Sequence, residues 1–359
     1  MSLGERWKKI DQHPTHQHAD SVEAVPLHAY GLQSESDSRH LVAVGTYQLR
    51  EQQVSDQSCS QIRDGSVLLY RVSAEGKAQE AGVMPLKSSG VFDLKWAPSR
   101  PLLAVASAQG TVELFSLATQ PIPSLSSLQT LAPPSALKTD HLVCLAAGWD
   151  GSSGSCLRVA ASHNQGLLAV HSLSDSSSDP LRAWTAHGDS EVWAVAFQSG
   201  PGTLLFSGAD DGTLQGWDLR SSPGSPSFCK RFEAGVTCLL PHSDPNLLVS
   251  GCYDQRVALW DLRNLRRALS SCETGGGVWR LKYHPSDPSY LITAAMRGGF
   301  HLLRQDADGQ LSLASSHLDP HTSEGLCYGV DWIAAETVED SLVGCCSFYD
   351  DLFSIASPF

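Results

Sequence analysis

The segment Ser207-Gly-Ala-Asp-Asp-Gly-Thr-Leu-Gln-Gly-Trp-Asp-Leu-Arg220 recurs almost residue for residue as Ser250-Gly-Cys-Tyr-Asp-Gln-Arg-Val-Ala-Leu-Trp-Asp-Leu-Arg263. Each copy begins with a short apolar stretch, passes through a turn that contains aspartate, continues with alternating residues and ends near Trp-Asp. This pattern predicts two β-strands joined by a tight turn. Two copies that start 43 residues apart indicate that the chain is built from repeats.

The spacing is typical of WD repeats, in which each unit forms one four-stranded blade of a propeller. Weaker copies flank the two strong ones, and the strand that precedes each copy supplies an anchor residue. The seven anchors are Ala24, Trp96, Trp149, Phe197, Leu240, Tyr283 and Trp332. We therefore predict an all-β fold, a seven-bladed WD-repeat β-propeller that occupies residues 1–359 as a single domain.

Closure of the predicted ring depends on the N-terminal segment. Phe359 comes directly after the third strand of the last blade, so this blade lacks its outer strand. An unpaired edge is a liability for a sheet. We predict that residues 6–10 form the missing strand and fasten the ring. The polar stretch 50–64, which expands the first repeat, is predicted to be a long mobile loop.

The composition excludes several classes of protein. Lys and Arg total 25 and Asp and Glu total 38, so the net charge is −13, which argues against a nucleic-acid partner. The sequence contains neither an apolar run of membrane-spanning length nor a signal peptide, so we expect no contact with a membrane. The ten cysteines form no CxxC pair, which favours reduced thiols and a cytoplasmic location.

Common catalytic and metal-binding motifs are also missing from the sequence. It contains no GxSxG, no HExxH and no P-loop. His13, His16 and His18 lie close together near the N-terminus but lack a fourth ligand, so we interpret them as a solvated loop. We predict neither a metal site nor a cofactor.

One mouth of the predicted channel gathers aromatic and acidic residues. The turns and loops of one propeller face carry Glu191 and Asp210, and they also carry six aromatic residues, Tyr47, Trp193, Tyr253, Trp279, Tyr328 and Tyr349. Aromatic rings next to carboxylates suit a quaternary ammonium ligand through cation–π contact and charge pairing. We therefore predict a substrate-binding site here; the alternative is that rings such as Trp193 and Trp279 only pack between blades.

The fourth blade contains a set of residues that WD repeats use to link their strands. His187, Ser207, Asp211 and Trp217 occupy the positions of this hydrogen-bonded set. His187 thus has two interpretations, because histidine is also the usual proton shuttle near neutral pH.

Six motifs together carry a more specific resemblance. They are Ala19-Asp-Ser-Val-Glu23, Gly45-Thr-Tyr-Gln-Leu-Arg50, Ser207-Gly-Ala-Asp-Asp-Gly212, Gly276-Gly-Val-Trp-Arg280, Tyr328-Gly-Val-Asp-Trp332 and Cys346-Ser-Phe-Tyr-Asp350. In this order they resemble the diphthine methylesterase family, WD-repeat proteins of diphthamide biosynthesis. The resemblance runs from about Asp20 to the C-terminus.

The resemblance implies a reaction and a partner. Diphthamide is a modified histidine of elongation factor 2, and one intermediate carries a methyl ester beside a trimethylammonium group. The family is understood to hydrolyse this ester to diphthine and methanol, so elongation factor 2 is the implied partner, with other proteins of the pathway as possible further partners. Since the sequence shows no nucleophile motif, we hypothesise direct attack by water. His187, Glu191 or Asp210 is then the candidate general base, and Arg280 or a backbone N–H of residues 275–277 the candidate oxyanion partner.

A second hypothesis is a non-catalytic adaptor. Trp217-Asp-Leu-Arg220 and Trp260-Asp-Leu-Arg263 match the WDxR pattern of propellers that serve as substrate receptors of cullin–RING ubiquitin ligases. The simpler interpretation of WDxR is an ordinary strand end with an exposed arginine. Hydrolysis and docking would use opposite regions of the propeller.

Overall fold

The computed structural model describes residues 7–32, 40–55, 58–86, 89–137, 139, 141–151, 157–173, 177–200, 203–221, 224–318, 325–334 and 337–359. Within these residues the strands form seven antiparallel sheets of four strands each. The prediction of a seven-bladed propeller is confirmed. In the described part of the chain, no helix is long and apolar enough to cross a bilayer.

The strands of the first six blades run in chain order from the channel outward. Blades one to four comprise β2 (His18–Ala24), β3 (His40–Ser55), β4 (Ser58–Val72) and β5 (Ala78–Leu86); β6 (Val91–Trp96), β7 (Leu102–Ser107), β8 (Val112–Ala118) and β9 (Ser124–Leu131); β10 (Cys144–Trp149), β11 (Arg158–His163), β12 (Leu167–Ser172) and β13 (Arg182–Thr185); and β14 (Ala194–Phe197), β15 (Leu204–Gly208), β16 (Thr213–Asp218) and β17 (Phe228–Arg231).

The fifth and sixth blades follow the same order, and in the seventh blade the N-terminal strand β1 takes the outermost position. They comprise β18 (Val236–Pro241), β19 (Leu247–Cys252), β20 (Arg256–Asp261) and β21 (Ser270–Glu273); β22 (Arg280–Tyr283), β23 (Tyr290–Ala294), β24 (Phe300–Gln305) and β25 (Leu311–His317); and β26 (Cys327–Ala334), β27 (Leu342–Ser347), β28 (Leu352–Ser357) and β1 (Lys8–Pro14). The inner strand of each blade contacts the inner strands of its two neighbours, and β26 contacts β2, so the ring is closed.

The N-terminal strand closes the ring as predicted, but its bounds differ from the expected residues 6–10. Strand β1 pairs antiparallel with β28, with Lys8 opposite Ser357 and Pro14 opposite Leu352. The pairing continues past residue 10 because it is made by backbone groups, which polar side chains do not interrupt. Residue 6 lies outside the described residues, while Trp7 is buried next to the sixth and seventh blades.

The predicted mobile loop over residues 50–64 is corrected by the structure. Strands β3 and β4 continue through this region as a long hairpin in which Gln48 pairs with Asp64 and Arg50 with Ile62. Polar composition misled the sequence prediction, since a hairpin that projects from the propeller is paired through its backbone and needs no apolar face. Residues 56 and 57 lie outside the described residues.

The anchors identified in the sequence fall near the ends of the seven inner strands. In the fifth blade the residue equivalent to Phe197 is Pro241, one position after the predicted Leu240, because Pro241 pairs with Leu248 as Phe197 pairs with Leu205. The core lies between neighbouring blades. For example, Val25 and Leu41 of the first blade belong to one buried cluster with Leu94 and Leu103 of the second, and burial of such apolar surface is the main driving force for folding.

Candidate functional site

In each blade, one residue in the inner strand or directly before it lies at the same channel mouth. The seven equivalent positions, which we call the mouth layer, are Asp20, Phe92, Leu145, Trp193, Thr237, Trp279 and Tyr328. In five blades the pairing of the inner strand with the next strand skips this residue, which marks a β-bulge. A bulge redirects a side chain away from the regular alternation of the strand.

The predicted aromatic residues form a continuous series of ring contacts across the mouth. Trp279 lies with its ring centroid 5.3 Å from that of Trp193 and 4.7 Å from that of Tyr328. Tyr328 is 5.0 Å from Phe348, and Phe348 is 6.1 Å from Tyr47. The series therefore crosses from the fourth blade to the first.

Two further predicted rings join this series. Tyr253 lies 6.3 Å from Trp279, and Tyr349 lies 5.1 Å from Phe348. Phe92 lies 5.0 Å from Tyr47. We call the whole set the aromatic rim: Tyr47, Phe92, Trp193, Tyr253, Trp279, Tyr328, Phe348 and Tyr349. The structure thus brings together all six aromatic residues that the sequence singled out.

The aromatic rim contains both exposed and buried rings. Tyr349 is 55% exposed, whereas Trp279 is 5% exposed. Sequence reasoning missed Phe92 and Phe348 as members. Phe348 lies within the quoted motif Cys346-Ser-Phe-Tyr-Asp350, and Phe92 lies four residues before the anchor Trp96, the same offset that separates Trp193 from Phe197. A consistent offset from the anchors would have found Phe92.

The two predicted mouth carboxylates lie beside the rim. The indole N–H of Trp193 donates a 2.7 Å hydrogen bond to Oδ1 of Asp210, and Asp210 N donates to the carbonyl of Glu191. Burial raises the pKa of Asp210, the hydrogen bond from Trp193 lowers it, and the charge of Glu191 raises it. Burial also raises the pKa of the Tyr253 phenol, which the charges of Asp210 and Glu191 raise further. These acids therefore lie within electrostatic range of one another and of the rings.

His187 does not belong to this mouth. Its side chain is fully buried, with Nε2 2.7 Å from Oγ of Ser207 and Nδ1 3.0 Å from Oδ2 of Asp211. Trp217 donates a 2.9 Å hydrogen bond to the same Ser207 hydroxyl. The predicted hydrogen-bonded set of the fourth blade is thus observed. Because both ring nitrogens of His187 are engaged in it, the structure does not place this histidine where it could act as a general base on a ligand at the mouth.

Arg280 lies in the channel immediately below the rim. Its guanidinium is 3.4 Å from Oδ1 of Asp93, donates to the carbonyls of Phe92 and Trp279, and lies 5.3 Å from the centroid of the Trp279 ring. Burial lowers the pKa of Arg280, but the charges of Asp93 and Asp20 outweigh this effect and raise it above its ordinary value. The loop over residues 275–277 passes close to the rim, since a Cβ at Gly277 would meet the Tyr253 ring at 3.2 Å.

Asp20 is the residue of the mouth layer that sequence reasoning missed. It is 3% exposed, and it carries the one carboxylate among the seven mouth-layer side chains. Burial raises the pKa of Asp20 to about 7; the charge of Arg280 lowers it, the charge of Asp93 raises it, and the Trp279 indole lowers it. The available signal was its place in the motif Ala19-Asp-Ser-Val-Glu23, four residues before the anchor Ala24.

Deeper in the channel, four charged side chains form what we call the ionic ring: Glu23, Lys95, Lys282 and Asp331. Lys95 lies 2.9 Å from Glu23 and Lys282 lies 3.3 Å from Asp331. Between the mouth and this ring, a cavity of about 260 Å³ is lined on one side by small residues such as Ala146. Within the described residues no cluster of His, Cys, Asp and Glu could hold a metal ion.

The fold and the mouth define the class of protein: a WD-repeat propeller with an aromatic and acidic site at one channel opening. The family "WD domain, G-beta repeat" matches residues 178–218 and 227–261. The chain is 33% identical over 338 residues to the diphthine methyltransferase of Mus musculus, covering 88% of this chain and 67% of that protein. It is 32% identical to the Homo sapiens protein of the same name, over 88% of this chain and 72% of the relative.

A third relative is the diphthine methyltransferase homolog of Dictyostelium discoideum, 31% identical over 76% of this chain and 77% of that protein. The chain belongs to this family, which confirms the resemblance drawn from the six motifs. Among solved structures, a chain in the "Crystal Structure of Mitotic Checkpoint Complex" aligns with a TM-score of 0.68 and 16% identity, over 97% of this chain and 93% of that chain. That likeness concerns the propeller fold alone.

Proposed function

We propose that the protein acts in diphthamide biosynthesis as a carboxylic ester hydrolase. Its substrate would be the methyl ester intermediate on the modified histidine of elongation factor 2, and its products diphthine and methanol. Membership of the family supports the pathway. The names of the relatives refer to transfer of a methyl group, so hydrolysis is the narrower part of the proposal and needs its own support.

The observation that carries the proposal is the hydrogen bond between Trp193 and Asp210 within the aromatic rim. It joins an electron-rich ring and a carboxylate into one unit, and the Tyr253 ring lies within range of the same acid. A quaternary ammonium is recognised by aromatic faces and neutralised by a carboxylate, and such a contact contributes about 0.5–2 kcal/mol per ring. A trimethylammonium group bound here would hold its neighbouring ester at the mouth of the channel.

The chemistry that follows is addition of water to the ester carbonyl. A base removes a proton from water, the new C–O bond forms, and the carbonyl oxygen takes the negative charge. The C–OCH₃ bond then breaks, and the leaving methoxide takes up the proton as methanol. The guanidinium of Arg280 supports this step, because a cation that is largely shielded from solvent and fixed by its hydrogen bonds stabilises a developing oxyanion.

The cellular setting follows from the partner. Elongation factor 2 is a translation factor, so we propose a cytoplasmic site of action, and the free cysteines among the described residues are consistent with a reducing compartment. Other proteins of the pathway would supply the ester and consume the diphthine. The adaptor hypothesis gains no support from Arg220 and Arg263, since each pairs with the aspartate of its own WDxR motif.

The proposal is tested with purified protein and elongation factor 2 that carries the methyl-esterified intermediate. We expect the modified peptide to lose the mass of one CH₂ and methanol to appear in equal amount. Addition of a labelled methyl donor distinguishes the two reactions, because a methyltransferase would add label to the peptide. Absence of methanol above the enzyme-free rate, or incorporation of label, contradicts the hydrolase proposal.

A further inference from the structure

Three buried polar atoms near the aromatic rim lack a close hydrogen-bond partner among the described residues, although the Trp279 indole is directed at the Asp20 carboxylate and lowers its pKa. They are Oδ1 of Asp20, Nε of Arg280 and Nε1 of Trp279. A buried polar atom without a partner costs about 1–3 kcal/mol, so such atoms need an explanation wherever they cluster. The carboxylate oxygen of Asp20 can accept a proton from water, and the free N–H of Arg280 can donate a hydrogen bond to a polarised carbonyl.

These atoms belong to groups that interact with one another. The charge of Arg280 and the indole of Trp279 both act on the Asp20 carboxylate. Arg280 is fixed from the other side by Asp93 and by two backbone carbonyls, so its guanidinium has little freedom to turn. The Asp20 carboxylate and the Arg280 guanidinium therefore interact electrostatically, while the direct ion pair of Arg280 is with Asp93.

We propose that Asp20 is the general base of the ester hydrolysis and that Arg280 is its oxyanion partner. This inference rests on the proposed function and deepens it by assigning the base. Oδ1 of Asp20 accepts a proton from the attacking water, whose oxygen forms the new bond to the ester carbon. The electron pair of the carbonyl moves to its oxygen, which faces the Arg280 guanidinium. When the C–OCH₃ bond breaks, the proton passes from Asp20 to the methoxide, and the carboxylate is restored.

The electrostatic setting of Asp20 supports this assignment. A general base is most effective when its pKa lies near the working pH. Burial raises the pKa of Asp20 to about 7, and the groups that face it from neighbouring strands are Arg280 and Asp93, with Tyr328 and Cys346 also within range. Asp210 is a weaker candidate, because the charges that act on it are those of Glu191 and Asp211, whereas Asp20 interacts with the cation Arg280.

Two thiols lie in the same neighbourhood, and their environments argue against covalent catalysis. Burial raises the pKa of the Cys238 thiol near Arg280 to about 12. The second thiol is that of Cys346, near Asp20. The thiol is fully buried, accepts a 3.2 Å hydrogen bond from the Gly329 N–H and lies 3.4 Å from the carbonyl of Ala19. Burial raises the pKa of the Cys346 thiol well above its ordinary value, so it stays protonated and is a poor nucleophile.

The test compares the variants Asp20→Asn and Asp331→Asn with the wild-type protein in the methanol-release assay. Both changes remove one buried channel carboxylate, but Asp331 belongs to the ionic ring below the site. We expect Asp20→Asn to lower kcat by about 100-fold or more with little change in KM, and Asp331→Asn to retain most of kcat per folded molecule. Arg280→Lys should lower kcat as well, because lysine cannot reproduce the guanidinium geometry.

The pH profile supplies a second measurement that needs no variant. The wild-type kcat should rise with pH through an apparent pKa near 7, as the Asp20 carboxylate ionises, and then level off. If the wild-type protein is active and the folded Asp20→Asn variant keeps more than about a tenth of the wild-type kcat, the assignment of the base is wrong. The hydrolase proposal is not affected by that result. A wild-type profile without an ionisation near neutral pH likewise contradicts the assignment of the base alone. A wild-type protein that releases no methanol overturns both.

Discussion

The indole nitrogen of Trp193 lies 2.7 Å from Oδ1 of Asp210. Trp193 directly precedes the inner strand β14, whereas Asp210 lies in the turn between β15 and β16, so the hydrogen bond joins two segments that enter the mouth separately. It fixes the plane of the ring and places a negative charge at its edge. A ring and an acid locked together in this way can receive a cation without first losing the entropy of ordering both side chains.

Two substitutions of Trp193 separate the contribution of the aromatic ring to substrate binding from the contribution of its hydrogen bond. Trp193→Phe keeps an aromatic face but removes the donor that lowers the pKa of Asp210, so KM should rise moderately, and more so at acidic pH. Trp193→Ala also removes the cation–π contact and should raise KM by about 10-fold. The measurement is KM for the methyl-esterified factor at several pH values.

A tryptophan of the third blade, Trp184, provides the matched control for this experiment. Trp184 packs against Trp217 with ring centroids 5.4 Å apart and takes no part in the rim. Trp184→Phe should lower the melting temperature and leave KM unchanged. If Trp193→Ala lowers stability and activity in equal proportion, as a core ring would, the rim is not a binding surface.

The hydrogen-bonded set around His187 should contribute to stability and not to catalysis. His187→Leu removes one hydrogen-bond partner each from Ser207 and Asp211, which keep their bonds from Trp217 and Thr213, and we expect this to cost about 1–3 kcal/mol of unfolding free energy. Denaturation by urea measures this loss. The value of kcat per folded molecule should remain that of the wild-type protein, and a collapse of kcat at normal stability would restore His187 as a candidate base.

The blade count and the rim could be predicted from the sequence because both depend on local, repeated chemistry. Ser207, Asp211 and Trp217 interact within one blade, and their spacing is visible in the chain. The turn and loop positions of the rim recur at fixed offsets from the same landmarks. Residues such as Tyr253 and Tyr328 could therefore be assigned to one face before their contacts were known.

Asp20 was missed although it lies four residues before the anchor Ala24, because it sits at a bulge within strand β2, where strict alternation does not tell which face its side chain takes. An extra residue shifts every following side chain to the other face, so period-two reasoning fails at the position that matters. Its pKa is raised mainly by burial, with Arg280 lowering it and Asp93 raising it, and these groups lie far away in the sequence and meet Asp20 only in the closed ring. The hairpin of β3 and β4 was missed for a different reason, since its pairing uses backbone groups alone.

The WDxR arginines should be dispensable for catalysis. Arg220 and Arg263 are both largely exposed, and each donates to the aspartate two residues earlier, Asp218 or Asp261. Exposed pairs of this kind contribute little to stability because solvent screens them. The double variant Arg220→Ala/Arg263→Ala should keep its melting temperature and its rate of methanol release. A selective loss of that rate would show that the opposite end of the propeller takes part in the reaction.

Closure of the ring should depend on Trp7. Its indole donates a 3.1 Å hydrogen bond to Ser315 and stacks on His317 with centroids 5.6 Å apart, so it attaches the start of β1 to the sixth blade. Trp7→Ala should lower the free energy of unfolding by about 3–5 kcal/mol. Leu128→Ala, at a position 56% exposed on β9, is the control and should change it by less than about 0.5 kcal/mol. Equal effects of the two changes would contradict the proposed role of Trp7.

The final prediction concerns how stability depends on pH. The pKa of Asp20 is about 7 in the folded protein and near 3.8 in the unfolded chain, so the folded state binds this proton more tightly. Between these two values the folded state keeps a proton that the unfolded state releases, and stability must therefore fall as pH rises through this window. Above pH 7 both states are ionised at this residue, and the loss, of the order of a few kcal/mol, is complete.

Asp20→Asn should abolish this fall, because asparagine does not titrate. The variant should match the wild-type protein near pH 4 and become progressively more stable than it up to about pH 7, after which the difference stays constant. Urea denaturation of both proteins across this range measures the difference, in which the titration of every other group cancels. Parallel stability curves would show that Asp20 keeps an ordinary pKa in the folded protein. A gain in stability together with a loss of kcat would mean that the fold tolerates a buried, unpaired carboxylate at the mouth because the reaction requires it.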